Sequence, residues 1–259
     1  MSLVFISAVA DANWLTKGVR ACWQVFNPPP ITHEELIKIE KGQIYYDGIP
    51  VTRDFYPLET ILRALNLKTD EEFNGAAVTS VGEGFSPLAK FLTDHGADLT
   101  VVDPAYVIRN MDYSSARDAN TISEFFEIAA RFVANSANFT GLDANSQDLV
   151  VSHAVVGPMI GSYWGILSAI GLLDECVKIV RVGGEIRVAG FAGAHIDIIS
   201  AYLNKAFPGI QFTWSSYSRE WTTPMGHNMQ NSGRLLTITK PYNIPKAHVE
   251  FPRAVRIMM

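Results

Sequence analysis

The sequence of 259 residues contains only two cysteines, Cys22 and Cys176. Two cysteines cannot build the disulfide framework of a small secreted domain, and neither stands in a pair with the spacing of a metal site. We therefore expect both to be free thiols in a reducing cytoplasm, and we expect no metal ion.

Long apolar runs and an excess of basic charge are missing as well. No apolar run approaches the roughly 20 residues that span a bilayer, so we expect no membrane segment. The net charge of -5 does not indicate a nucleic-acid-binding surface, which is usually basic. Hydrophobic residues make up 48% of the chain and charged residues 18%, which is the composition of a globular protein with a full core.

From about residue 76 onward, short runs rich in valine and isoleucine alternate with helical patterns. This alternation is typical of a parallel sheet with helices on its faces. Strands are predicted at 76–81, 99–103, 131–135, 149–152, 185–191, 211–216 and 234–239. Helices are predicted at 87–95, 121–132, 164–180 and 196–207. The second helix rests on a predicted core stripe at i, i+3, i+4 and i+7 that consists of Ile122, Phe125, Phe126 and Ala129.

The chain before this alternation reads differently, and we expect an N-terminal helical and hairpin extension at 1–72 ahead of one domain at 73–259. A short helix is predicted from Thr32, with Glu35 closing a capping box, to Gly42.

Two further elements are predicted in the extension. Asp47-Gly48 predicts a β-hairpin, and Pro50 puts the second strand of this hairpin at an edge. A helix is predicted where four apolar residues share one face, namely Leu58, Ile61, Leu62 and Leu65.

The segment "SVGEGFSP", residues 80–87, puts Gly82 and Gly84 in a tight turn between a strand and a helix. Glycine lets the backbone approach a ligand closely, and the following helix offers free N–H groups. Ser86 followed by Pro87 is also a good helix start, so the same residues are equally well explained as an ordinary strand-to-helix junction.

Two common ligands of such a turn are disfavoured by residues that the segment lacks. A dinucleotide fingerprint requires a small residue three positions after the second glycine, and this position is Pro87. A P-loop requires a Gly-Lys-Ser/Thr sequence, which does not follow the turn.

Asp103 ends the second predicted strand, "DLTVVD". At this point a carboxylate can reach a ribose diol held over the glycine turn. Alternatively, Asp103 starts a turn before Pro104 and caps the next segment. The combined spacing from Gly82 to Asp103 favours a nucleoside ligand.

Further on come "DLVVSHAVV", residues 148–156, then a long predicted helix and "VGGEIRVAGF", residues 182–191. In this order the chain resembles the class I S-adenosylmethionine-dependent methyltransferases over about residues 73–240. The resemblance implies an α/β fold, a Rossmann-like three-layer sandwich with a seven-stranded, mostly parallel sheet and an antiparallel last strand. It also implies S-adenosylmethionine as the cofactor and direct in-line methyl transfer, for which we expect a small-molecule acceptor.

The resemblance further implies a set of cofactor contacts. The glycines of the turn match those beside the methionine part of the cofactor, and Asp103 matches the acid that binds its ribose. Phe85 stands where the family often has a small residue, and Asn135 or Ser136 stands where it has an acid that contacts adenine. The full set of candidate cofactor-binding residues is Gly82, Glu83, Gly84, Phe85, Asp103, Pro104, Asn135, Ser136 and Ser152.

The candidate general base is His153, because it follows the fourth strand of the domain at the expected crevice. His153 could instead pack in the core or bind the adenosine end of the cofactor, and His227 and Tyr106 are weaker alternatives. Aromatic residues that either line an acceptor pocket or belong to the core are Tyr163, Trp164, Trp214, Tyr217 and Trp221.

Three other functions stay open, and the first is a nicotinamide oxidoreductase, which the incomplete dinucleotide fingerprint disfavours. Transfer of the cofactor's aminocarboxypropyl chain, as in nicotianamine-synthase-like proteins, is suggested by Pro87-Leu88 after the turn. A non-catalytic protein that binds the cofactor or a partner is suggested by the lack of an unmistakable catalytic residue. The extension is expected to act as a lid over the crevice, with Trp14, Trp23 and Phe26 as contacts, or alternatively as an oligomer contact.

Overall fold

The computed structural model describes residues 36–46, 49–50, 56–82, 84–153, 155–156, 165–222 and 228–247. Ten strands lie in these ranges: β1 (Ile37–Glu40), β2 (Gln43–Tyr46), β3 (Ile49–Pro50), β4 (Ala77–Val81), β5 (Asp98–Val102), β6 (Arg131–Val133), β7 (Gln147–Ser152), β8 (Val180–Phe191), β9 (Gln211–Thr222) and β10 (Asn228–Thr239). Five α-helices lie between them: α1 (Leu58–Leu65), α2 (Leu88–Asp94), α3 (Ala119–Phe126), α4 (Gly165–Ile179) and α5 (Ile196–Ala206).

Seven of the strands form one sheet in the order β6-β5-β4-β7-β8-β10-β9. The first five strands in this order, β6, β5, β4, β7 and β8, are parallel to one another, whereas β10 runs antiparallel to both of its neighbours. This arrangement confirms the predicted fold class, a Rossmann-like sheet that is mostly parallel and has an antiparallel last strand.

Alternate side chains of the sheet enter two separate cores, which gives the molecule three layers. In β7, Leu149 and Val151 pack on the side of α1, α2 and α3, and Val150 packs on the side of α4 and α5. The period of two residues in a strand produces this division, because successive side chains point to opposite faces.

The helix α1 packs against the sheet through the apolar face that its sequence predicts. Ile61 and Leu65 are fully buried, and Leu62 is 2% exposed. At the end of α1, the carbonyl oxygen of Asn66 accepts a hydrogen bond of 2.9 Å from Arg187 of β8. Although α1 precedes the alternating part of the chain, it therefore contributes to the same core.

The prediction of a helix up to Gly42 is wrong where the structure describes it, because β1 occupies Ile37–Glu40. The residues alternate between apolar and polar, with Ile37 buried and Lys38 exposed, which suits a strand. Lys41 and Gly42 then have positive φ values of 52° and 78°, as in a type I′ turn, and β2 returns antiparallel to β1. Thr32 and Glu35 lie outside the described residues.

The strands on either side of Asp47-Gly48, β2 and β3, pair antiparallel, as in the predicted hairpin. Asp47 and Gly48 themselves lie outside the described residues. As Pro50 predicted, β3 is an edge strand of the three-stranded sheet β1-β2-β3.

Several predicted boundaries also need correction. The helix predicted at 121–132 ends at Phe126, because β6 begins at Arg131, and Ala129 is exposed instead of buried. β9 and β10 have 12 residues each, twice the predicted length. Their additional residues are mainly polar, so no apolar alternation marked them, but they pair with each other along the whole hairpin.

The carboxyl end of α4 is closed by a buried lysine. Lys240 is only 4% exposed. Its ammonium group donates hydrogen bonds to Asn145 Oδ1 at 2.7 Å, Val177 O at 2.8 Å and Val180 O at 2.9 Å. A cation at a helix C-terminus is favourable, because the last carbonyl groups have no partner within the helix.

In the described part of the chain, none of the helices is both long enough and apolar enough to cross a membrane.

Candidate functional site

The carboxyl ends of the four parallel strands β4 to β7 meet at one edge of the sheet. Backbone hydrogen bonds continue past the strands, from Gly82 N–H to Val102 O at 2.7 Å and from Asp103 N–H to Val133 O at 3.1 Å. The residues that follow these strands therefore lie side by side. In open α/β sheets this edge is the place where ligands bind.

Asp103 links the second strand of this group to the glycine turn. Its Oδ1 accepts a hydrogen bond from Ala105 N–H at 2.8 Å, and its Oδ2 accepts one from Gly84 N–H at 2.9 Å. The side chain thus caps the 3-10 helix Pro104–Asn110, as one sequence interpretation held, and at the same time contacts the turn.

Burial raises the pKa of the Asp103 carboxyl, and the hydrogen bonds from Ala105 and Gly84 oppose this effect. Each carboxylate oxygen accepts one N–H group and keeps a second lone pair. Asp103 can therefore accept two further hydrogen bonds, which is what the two neighbouring hydroxyl groups of a ribose require.

Gly82 and Gly84 both adopt the left-handed backbone region, with φ values of 69° and 59°. The space over Gly82 is already used within the chain. A Cβ atom at position 82 would lie 2.2 Å from Cγ2 of Val155, which belongs to the segment after β7. The packing of Val155 thus explains why position 82 is a glycine, and the sequence interpretation did not anticipate this contact.

Phe85 lies in an aromatic cluster formed by Phe85, Tyr106, Phe125, Phe126 and Phe132. Its residue is 7% exposed, and its ring meets Tyr106, Phe125 and Phe126 edge to face. The hydroxyl group of Tyr106 donates a hydrogen bond of 2.6 Å to Gly84 O. Since this hydroxyl already donates its proton within the chain, the structure gives Tyr106 a role in holding the turn.

Ser152 and His153 lie at the end of β7. Ser152 is fully buried, and its Oγ has no hydrogen-bond partner among the described residues. His153 is 7% exposed, and the ring of Tyr56 meets it edge to face with the centroids 5.2 Å apart. Tyr56 comes from the segment before α1, and no local signal in the sequence marks it.

Asn135 and Ser136 lie in the loop that follows β6. The Asn135 side-chain amide donates to Thr140 O at 3.0 Å, and Ser136 O accepts the N–H of Phe139 at 3.0 Å. These bonds fold the loop back on itself next to the end of β6. Pro104, at the start of the 3-10 helix, is partly exposed.

The structure puts two of the aromatic candidates for an acceptor pocket in or against the core. Trp214 donates to Ser200 Oγ at 2.9 Å and packs on Phe191, and Tyr217 is 8% exposed. The remaining candidates fall outside the described residues or have side chains that are not described: Glu83, His227, Tyr163, Trp164, Trp221, Trp14, Trp23 and Phe26.

The described residues contain no group of three or more histidine, cysteine, aspartate or glutamate side chains that could hold a metal ion. Cys176 is a fully buried free thiol whose pKa is raised by burial. Cys22 lies outside the described residues.

No protein-family model matches the chain, and no curated protein sequence matches it. Solved structures are similar to it in fold. An S-adenosylmethionine-dependent O-methyltransferase from Thermotoga maritima is 12% identical, with a TM-score of 0.44 over 77% of this chain and 69% of that one. A precorrin-6y C5,15-methyltransferase from Geobacter metallireducens is 12% identical, with a TM-score of 0.44 over 70% of this chain and 86% of that one.

The N-methyltransferase NodS from Bradyrhizobium japonicum, in complex with S-adenosyl-L-homocysteine, is 13% identical, with a TM-score of 0.44 over 71% of this chain and 84% of that one. At these identities the similarity concerns the fold and not the activity. The strand order of the sheet, with β10 inserted antiparallel between β8 and β9, is that of the class I methyltransferase fold.

Proposed function

We propose that the chain binds S-adenosylmethionine and transfers its methyl group to a small-molecule acceptor. One observation carries the proposal, namely the Asp103 carboxylate bonded to the Gly84 turn at the carboxyl edge of the sheet. At this place two acceptor oxygens stand next to backbone that has no side chain, which suits the ribose of a nucleoside ligand.

The other residues of the crevice fit the same ligand. Ser152 offers a fully buried hydroxyl group that has no partner among the described residues, and a bound ligand would satisfy it. Asn135 and Ser136 lie in the loop after β6 and would contact the adenine. The side chain of Val155 lies on Gly82, so the space over this glycine is occupied within the chain.

S-adenosylmethionine supplies a methyl group on a sulfonium, which is already electrophilic when the cofactor is bound. The task left to the chain is to orient the acceptor and, where the acceptor carries a proton, to remove this proton. We assign the removal of the proton to His153, which directly follows β7 at the crevice. The nearby ring of Tyr56 limits the orientations of the His153 ring.

Tyr56 also bears on the division of the chain. It brings a part of the extension, residues 1–72, into contact with a residue of the crevice. This contact supports an extension that covers one side of the crevice, whereas α1, from the same part of the chain, belongs to the core of the sheet.

Calorimetric titration with S-adenosylhomocysteine tests the cofactor assignment. We expect the wild-type protein to bind and Asp103→Ala to bind at least about tenfold more weakly, because hydrogen bonds to a charged group contribute about 1.5–3 kcal/mol each. Asp112→Ala is a matched control, since Asp112 is exposed and its carboxylate likewise accepts a backbone N–H two residues on. The assignment fails if the wild type gives no heat of binding, or if Asp103→Ala binds as the wild type does.

Product analysis with labelled S-adenosylmethionine and a panel of small-molecule acceptors distinguishes the activities. S-adenosylhomocysteine as the product indicates methyl transfer. Methylthioadenosine would instead indicate transfer of the aminocarboxypropyl chain, and an unchanged cofactor that binds would indicate a protein without catalysis.

A further inference from the structure

The 3-10 helix after β5 brings two side chains to the same glycine. Asp103 is the N-cap of this helix, and Tyr106 follows three residues later. In a 3-10 helix, residues i and i+3 lie above one another. The two side chains therefore reach the turn from one direction, and both bind Gly84.

The two hydrogen bonds fix the backbone on both sides of Gly84. Asp103 accepts the Gly84 N–H at 2.9 Å, which orients the peptide group before this residue. The Tyr106 hydroxyl donates to Gly84 O at 2.6 Å, which orients the peptide group after it. Since glycine has the widest choice of φ and ψ, these bonds select one backbone conformation, with φ at 59°.

The position of the Tyr106 hydroxyl is itself fixed by packing. Tyr106 is 3% exposed, and its ring packs against Phe85, Phe125, Phe126 and Phe132 with centroid distances of 5.5 to 5.9 Å. A ring enclosed on several sides does not reorient, so it holds the Gly84 carbonyl group without a further loss of side-chain entropy.

The orientation of the Gly84 carbonyl group determines where the next N–H group points. The peptide bonds of the described residues are trans, so the C=O and N–H groups of one peptide point in opposite directions. The Phe85 N–H is therefore directed away from the Tyr106 hydroxyl. It has no hydrogen-bond partner among the described residues.

We infer that Tyr106 is a positioning residue for cofactor binding, because its hydroxyl holds the Gly84–Phe85 peptide with the Phe85 N–H turned toward the methionine end of the cofactor. This inference rests on the proposed function. It assigns a role to a side chain that does not touch the cofactor, and it separates this role from that of Asp103, which binds the ribose.

Tyr106→Phe tests the inference, since it removes only the hydroxyl and keeps the ring in the aromatic cluster. We expect S-adenosylhomocysteine to bind about five- to tenfold more weakly, the effect of losing one hydrogen bond that fixes the turn. Methylthioadenosine has the adenosine part but lacks the amino acid part, so its affinity should not change. A general loss of structure would weaken both ligands.

Tyr202→Phe is the matched control. The Tyr202 hydroxyl is also a buried donor, but it bonds Asp174 Oδ1 on the other face of the sheet. We expect this variant to lose thermal stability and to bind both ligands as the wild type does.

The possible outcomes distinguish the inference from the proposed function. If the wild type binds neither ligand, the proposed function is wrong and the inference falls with it. If the wild type binds and Tyr106→Phe binds S-adenosylhomocysteine equally well, or loses both ligands to the same degree, only the inference is wrong.

Amide hydrogen exchange on the wild type gives a second test that needs no variant. The Phe85 amide should exchange quickly in the free protein and be protected on addition of S-adenosylhomocysteine, whereas methylthioadenosine should protect it less. Equal exchange of this amide with and without S-adenosylhomocysteine would overturn the inference.

Discussion

Gly82 and Val155 give a quantitative test of why the turn begins with a glycine. In Gly82→Ala, the new Cβ atom would lie 2.2 Å from Val155 Cγ2 on a residue with φ at 69°. The left-handed conformation costs a residue with a side chain about 1–2 kcal/mol. The collision adds an overpacking cost of about 1–3 kcal/mol, so we expect Gly82→Ala to lower the free energy of unfolding by about 2–5 kcal/mol.

Val155→Ala removes the collision but not the backbone cost. It deletes both γ-carbons and leaves the Val155 Cβ atom, 3.2 Å from the new methyl group, as the nearest contact of this residue. Gly82→Ala should then cost only about 1–2 kcal/mol in the Val155→Ala background. The double-mutant cycle should thus show a coupling energy of about 1–3 kcal/mol.

Chemical denaturation of the four proteins of this cycle measures the coupling. Residues that do not interact have additive effects within about 0.5 kcal/mol, so a coupling energy that small would refute the argument. S-adenosylhomocysteine binding by the double variant adds a second result. Binding equal to that of Val155→Ala would show that Gly82 serves only the packing of Val155, and weaker binding would show that ligand binding also depends on the absence of a side chain at position 82.

Three further predictions concern buried polar groups. Lys240→Met leaves three acceptors without their donor and should lower the free energy of unfolding by about 3 kcal/mol. Its control is Lys246→Met, which removes a partly exposed ion pair and should change the free energy of unfolding by less than about 1 kcal/mol. Equal losses in the two variants would contradict the role of Lys240. Thr140→Val should cost about 2 kcal/mol in denaturation, because it removes a 2.6 Å hydrogen bond to the buried Glu175 carboxylate; a loss near zero would show that this bond contributes little. Protonation of Asp103 removes a hydrogen-bond acceptor, so lowering the pH should weaken S-adenosylhomocysteine binding. Because burial raises the pKa of Asp103, this weakening should begin at a higher pH than for an aspartate with the ordinary pKa of 3.8. Calorimetry that finds a constant affinity as the pH falls toward 3.8 would contradict this prediction.

The strands of the large sheet could be predicted from the sequence because most of them are short and buried. Runs such as "DLVVS" contain apolar residues on both faces, and glycine turns separate these runs from helices with an apolar stripe. Where these conditions fail, prediction failed too. The polar halves of β9 and β10 are held by pairing with each other, and this pairing is not visible in either strand alone.

The error at β1 has a local cause. The residues "ITHEELIKIEKG" combine a capping box with helix-forming residues, and the alternation in "IKIE" extends over only four residues. Pairing with β2 decides between the two possibilities, since the Lys41-Gly42 turn returns the chain directly onto β1. Tertiary context overrides helix propensity here, as it does for short segments in general.

In the candidate site, the sequence could indicate the residues at strand ends but not the contacts between distant segments. Gly82, Asp103 and His153 were predicted because each follows a recognisable strand. Tyr56 and Val155 touch these residues from elsewhere in the chain, and only the folded structure brings them together. For the same reason, the sequence identified Tyr106 only as a weak candidate base and did not indicate its hydrogen bond to Gly84.

The two glycines of the turn therefore have different physical explanations, although they look equivalent in "VGEGF". Gly82 has no side chain because Val155 occupies this space. Gly84 has both of its backbone polar groups bound by residues at the end of β5. The G-x-G pattern alone would assign both glycines to a ligand-binding turn, whereas their contacts within the chain favour this assignment only for Gly84. Asp103 and Tyr106 hold Gly84 in one backbone conformation, and the Ser152 hydroxyl has no hydrogen-bond partner among the described residues. Both features fit the cofactor site that we propose.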